Sequence, residues 1–250
     1  MSARLDPGPA LTGTGAAAGS APGGGFRGAA VAVIAYGVAM GYLEAAVVVY
    51  LRAALGLAPQ LVGPGEDVIT AATVGTFMGA EVAREAATLV MIAAVGWLAG
   101  RSPAERLAWA AVVFATWDIT YYAGLWALIG WPESLAAWDV LFLIPAPWVG
   151  PVLAPVGVSV ALAGFGLAAA RRLRTGGRLR LGSGRLIVMI GGGLLVVAGF
   201  LVDGGRVLAG DLAPWSGWPL FAVGMTLAIA AGAGAFEPAV DRRPGGRAGD

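Results

Sequence analysis

GAAVAVIAYGVAMGYLEAAVVVYL, residues 28–51, runs through 24 positions with one ionisable side chain, Glu44. A run of that length and apolarity is the signature of a helix that crosses a hydrocarbon layer about 30 Å thick. Five further runs of the same kind follow, at about 80–99, 105–128, 151–171, 185–203 and 217–236. The chain as a whole is 58% hydrophobic and only 12% charged, about half the charged share of a soluble domain. The fold class expected is therefore all-α: a polytopic membrane helix bundle of about six transmembrane helices.

The arginines orient such a bundle. With the N-terminus in the cytoplasm, thirteen arginines fall on cytoplasmic segments: Arg4, Arg27, Arg101, Arg106, the group from Arg171 to Arg185, and Arg242, Arg243 and Arg247. Only Arg52 and Arg206 fall outside, and Arg84 lies within a span. An error of one span would mix the two sets, so six spans with both termini cytoplasmic are expected. Residues 1–27 and 237–250 read as disordered cytoplasmic tails flanking a transmembrane domain at 28–236. The charged start and full-length first span argue against a cleaved signal peptide.

Two segments depart from a plain bundle. The link at 53–79 is mildly polar and suits an amphipathic helix on the outer surface. Residues 131–150, WPESLAAWDVLFLIPAPWVG, are apolar, but 131–171 is too long for one span. Pro145, Pro147, Pro151 and Pro155 each remove a backbone donor. The expectation is a Pro-broken re-entrant or interfacial segment, with a short helix near 135–144 that breaks at Pro145–Pro147. Such backbone survives at membrane depth only where protein or water covers it.

The charges inside the apolar runs are where function is sought, because a charge at the bilayer centre costs about 2.5–3.5 kcal/mol on insertion scales. They are Glu44, Glu81, Arg84, Glu85 and Asp118. The orientation above places all five in the outer half of the bilayer, with Asp139 beside them in the broken segment. Glu81, Arg84 and Glu85 share a helix face by steps of three and four, so Arg84 is expected to pair with either glutamate. Asp118, Tyr121 and Tyr122 are spaced likewise, and a Tyr hydroxyl is expected to donate to the Asp118 carboxylate. Gly37, Gly41 and Ala45 form a small-residue stripe that admits a close neighbour and turns Glu44 inward. The blander alternatives are a solvated ion pair for Glu81 and Arg84, a structural hydrogen bond for Glu44 and Asp118, an ordinary loop charge for Asp139, and a topology signal for the Arg171–Arg185 run.

Several chemistries are excluded. The chain has no Cys and no His, which removes disulfides, thiolate sites, serine-hydrolase triads and the usual zinc and haem ligands. It has no Lys, so no Schiff base. A net charge of +1 points away from nucleic acid. Full ionisation of four or five carboxylates around one Arg is costly, so a protonated carboxyl or a bound cation is expected. A hard divalent cation is the cofactor these acids would suit, with Glu44, Glu85 and Asp118 as candidate metal ligands.

The stretch WDITYYAGLWALIGWPESLAAWDVLFLIPAPWVGPVLAP, 117–155, resembles a family of bacterial multi-pass inner-membrane proteins with no established activity, as does EVAREAATLVMIAAVGWLAG, 81–100. The resemblance implies a multi-pass membrane protein and no particular reaction. The function expected from the residues is an outward-facing acidic pocket that binds or transports a cation, proton or small polar solute, alone or with a membrane partner subunit. The alternatives are a carboxylate enzyme acting on lipid or isoprenoid substrates, and a structural or assembly subunit.

Overall fold

The computed structural model describes residues 25–54, 71–209, 211 and 213–236. Its elements, in order, are α1 (Phe26–Ala54), α2 (Ala71–Ala99), α3 (Pro103–Ile129), β1 (Trp138–Phe142), β2 (Trp148–Pro151), α4 (Leu153–Arg174), α5 (Ser183–Leu201), α6 (Gly204–Leu208) and α7 (Trp218–Gly234). Five helices are long and apolar enough to cross a membrane: α1, α2, α3, α4 and α5. The apolar helix α7 is shorter, with 17 residues. Helix α2 begins at Ala71, so the last part of the expected surface link is helical and leads into the apolar stretch Gly79–Ala99. The rest of that link and most of both tails lie outside the described residues.

Local signals explain where α3 starts and stops. Ser102 is its N-cap and accepts the Glu105 N–H at 3.3 Å, and Pro103 occupies the first turn, where no donor is needed. Glu105 reaches back to accept the Arg101 N–H at 3.1 Å, which satisfies a further donor of the helix entrance. At the other end Gly130 adopts φ +74° and its N–H returns to Trp126 O at 2.9 Å. A side chain is strained at that left-handed position, so glycine closes the helix.

The helices pack through small residues. The stripe Gly37, Gly41 and Ala45 of α1 lies against α3, where a Cβ on Gly37 would sit 2.7 Å from the Thr116 Cβ and one on Gly124 2.9 Å from the Ala45 Cβ. The contacts advance together along both chains, so α1 and α3 run parallel. Helix α4 lies antiparallel to α3, with Gly166 against Ala108 and Val112. Trp109 is fully buried among Val33, Met40, Ile92, Val112 and Val113 and anchors this group. Helices α5 and α7 form a separate antiparallel pair in which Gly192 and Gly224 face each other. Phe165 of α4 meets Gly232 of α7, and the aromatic cluster of Phe200, Trp215 and Trp148 joins the pair to the sheet. Elsewhere an apolar cavity of about 820 Å³ separates it from α2, α3 and α4.

The arginine-rich end is locked by a buried ion pair. The Arg174 guanidinium Nε contacts Glu105 Oε1, both side chains being almost fully buried. Trp109 Nε1 donates to the same carboxylate at 3.1 Å, and a second Arg174 nitrogen donates to Ala99 O at 2.6 Å. The ends of α2, α3 and α4 are thus tied together. Within the Arg171–Arg185 run, read from sequence as a topology signal, Arg174 has a structural role, and Arg172 also donates to Phe236 O at 2.9 Å.

The segment at 131–150 corrects an expectation. Residues 135–144 form no helix. Strands β1 and β2 make an antiparallel hairpin with Trp138 opposite Pro151, Asp139 opposite Gly150, Val140 opposite Val149 and Phe142 opposite Trp148. The prolines fall in the turn and at the strand end, where no ladder donor is lost. Alternation with a period of two explains the choice: Trp138 and Val140 pack toward Val149 and Val207, while Ala137 and Leu141 pack toward Tyr122, Trp131 and Val152.

Two pairs of substitutions test this packing in detergent-solubilised protein by thermal or chaotrope unfolding. Gly37→Leu overpacks the α1–α3 contact and is expected to lower stability by about 1–3 kcal/mol. Gly28→Leu is expected to be near neutral, because a Cβ there meets nothing within 4 Å. Arg174→Met strands the buried Glu105 charge and is expected to cost about 3–5 kcal/mol. Arg178→Met, on an exposed residue, is expected to stay within about 0.5 kcal/mol of the parent. Equal effects within either pair of variants would contradict the packing described.

Candidate functional site

All eight side chains singled out from the sequence line one cavity of about 140 Å³. It lies at the hairpin end of the bundle, where α1 brings Glu44, α2 brings Glu81, Arg84 and Glu85, α3 brings Asp118, Tyr121 and Tyr122, and β1 brings Asp139. Arg52 joins them from the end of α1. Five carboxylates and two guanidiniums thus surround one small space.

The pairings differ from those that spacing along a helix suggests. Arg84 does bond Glu81, with Nε at 3.1 Å and Nη2 at 2.7 Å from Oε2. Its other partner is Glu44, across the α1–α2 interface, and not Glu85. Glu85 is 7% exposed and turns to the hairpin. Its two oxygens accept the Leu143 N–H at 3.0 and 2.9 Å. The reason is that β1 ends at Phe142 and Leu143 leads into the proline turn, so its N–H has no strand partner. Without Glu85 that buried donor would stand unpaired in apolar surroundings.

Asp118 is likewise not served by a tyrosine. It accepts the hydroxyl of Ser159, on α4, at 2.8 Å, and both residues are buried. The Tyr122 hydroxyl donates instead to Asp139 Oδ2 at 2.8 Å, which fastens β1 to α3. Tyr121 stands edge-on to Tyr122 with ring centroids 5.0 Å apart. Among the described residues neither Glu85 nor Asp118 has an ion-pair partner.

Comparison with protein-family models, curated proteins and solved structures finds no match for this chain. The chemistry of the pocket therefore rests on its own side chains.

Three contributors were invisible in the sequence. Ser159 is a small polar residue in an apolar span, unremarkable until α4 is placed against α3. Trp117 and Trp131 also line the cavity, are 7% and 3% exposed, and have indole Nε1–H groups that are buried without a partner. Trp148 and Trp215, away from this pocket, likewise bury indole N–H groups with no hydrogen-bond partner among the described residues; the two at the pocket are donors that an acceptor oxygen of a bound molecule would satisfy. Trp131 is packed beside Tyr122 at a centroid distance of 6.1 Å. Among the described residues no group of three or more acids is placed to hold one metal ion together. Glu44 is committed to Arg84, Glu85 to Leu143 and Asp118 to Ser159.

Glu85 is the residue whose replacement separates site from scaffold. Glu85→Gln keeps an acceptor for Leu143 and is expected to preserve slow hydrogen exchange of that amide. Glu85→Ala leaves the donor unpaired, at a cost of about 1–3 kcal/mol, and is expected to speed exchange across 140–149 selectively. Unchanged exchange in Glu85→Ala would show that the carboxylate does not hold the hairpin.

Proposed function

We propose that the chain is a six-span protein of a bacterial cytoplasmic membrane, with both termini inside, whose acidic pocket opens outward and binds a small cationic or polar solute. The bias of thirteen arginines against two supports the orientation. Helix α7, antiparallel to α5 and about 25 Å long at 1.5 Å per residue, serves as the sixth span.

One observation carries the ligand class: five carboxylates face two guanidiniums, and two of those carboxylates, Glu85 and Asp118, have no ion-pair partner among the described residues. Excess negative charge in a partly buried site favours a cation, and low-dielectric walls strengthen the attraction. The unpartnered indole N–H groups of Trp117 and Trp131 favour a ligand that also carries acceptor oxygens. An ammonium group with a neighbouring hydroxyl meets both demands. A metal ion meets only the first, and the committed geometry of the carboxylates disfavours it.

Binding is preferred to conduction. Polar lining reaches as far as Thr88 and Asp118. Beyond it the lining turns to Leu89, Phe114 and Phe165, and an ion would have to cross a long apolar stretch unaided. Capture of a solute at the outer face, for this chain's own use or for a membrane partner, fits a pocket of that shape.

Thermal unfolding in detergent with ethanolammonium, ammonium, sodium and magnesium tests the proposal. Ethanolammonium is expected to give a saturable stabilisation, about 2.7 kcal/mol at one hundred times Kd, or roughly 5–10 °C for a chain of this size. Asp118→Asn is expected to remove the shift and Glu85→Gln to weaken it. If no cation stabilises the protein, or the Asp118→Asn protein responds like the parent, the pocket is not a cation site.

A further inference from the structure

The acidic pocket adjoins a second space. Trp117, Asp118, Leu141 and Phe142 line both the polar cavity and the apolar one of about 820 Å³. Asp118 is the one charged residue lining the larger cavity. Along α4 that cavity extends from Pro155 to Ala168, about 20 Å at 1.5 Å per residue. Its far wall is the α5–α7 pair, through residues such as Val197 and Met225.

The space is not a narrow packing defect. Gly164 and Gly193 line it, both exposed, and a Cβ built on either meets nothing within 4 Å, so the space is a broad cleft open on one side. Small-molecule sites have the size and character seen here: several hundred Å³, mostly apolar, with a few polar groups at one end. The polar end is acidic and carries two unpartnered donors; the apolar end is long and accepts a chain.

We infer that the two cavities form one site for a single amphiphile, with an amine- and hydroxyl-bearing head in the acidic pocket and one long alkyl chain in the apolar cavity. Asp118, held by Ser159, stands where head meets tail. This rests on the pocket binding a cationic head, and it adds that the ligand is lipid-like and arrives through the bilayer. Long-chain amines and amino alcohols are the class that fits.

Photolabelling tests the inference. The protein is reconstituted in phosphatidylcholine nanodiscs with hexadecylamine carrying a mid-chain diazirine, and the adducts are mapped by mass spectrometry. Adducts are expected on Leu162, Val197 or Met225, reduced at least tenfold by excess unlabelled hexadecylamine. Gly193→Phe and Gly164→Phe fill the apolar cavity and are expected to cut these adducts tenfold while leaving the thermal response to ethanolammonium intact. Asp118→Asn is expected to lose both. Adducts confined to outward-facing positions such as Val31 and Leu98, or undiminished in both glycine variants, overturn the two-cavity site. If ethanolammonium still stabilises the protein in that case, the acidic pocket stands without its tail channel. If neither probe registers, the pocket reading fails as well.

Discussion

A backbone donor away from water has to find an acceptor, and the hairpin at 138–151 is one place where this chain meets that demand outside a helix. A lone two-stranded hairpin is marginal even in water. Here it is held by Glu85 on the Leu143 N–H and by Tyr122 on Asp139. Each link also fixes a wall of the pocket. The carboxylate of Glu85 is oriented by the turn it supports, and Asp139 sits where the strand alternation turns it toward α3. The pocket and the hairpin are therefore one construction, and a change at either is felt at both.

The same economy appears at the opposite end. Glu105 caps α3, accepts from Trp109 and neutralises Arg174. One buried acid thus closes a helix entrance and binds three helix ends together. Two anchored ends leave the middle of the bundle to small-residue contacts, which permit close crossing of α1 with α3 and of α5 with α7. The looser join between the α5–α7 pair and the remainder leaves the apolar cavity open.

The helices were legible because hydropathy over some twenty residues is a strong signal, and their observed limits differ from the expected ones by a few residues, apart from the earlier start of α2. The gathering of the acids was legible from depth alone, since arginine counts place Glu44, Glu85, Asp118 and Asp139 at one end. Their partners were not. Spacing along a helix reveals Arg84 beside Glu81, but says nothing of Glu44 forty residues earlier or of Ser159 on another helix. The hairpin was missed because WDVLF is too short and too apolar to distinguish a strand from a helix by period. Trp138, Asp139 and Val140 alternate, but the register slips between Val140 and Phe142, and three apolar residues in a row hide the period.

The pairing of Glu44 with Arg84 has a consequence for how the chain is made. At roughly 5–20 residues per second, Glu44 leaves the ribosome on the order of 2–8 seconds before the guanidinium that neutralises it. The glycine face of α1 waits longer still, until α3 has followed. The first helix must therefore spend its early life with a charged side chain and an open seam among lipids or within the insertion machinery. Its retention until α2 and α3 arrive is a requirement of biogenesis written into the order of the segments.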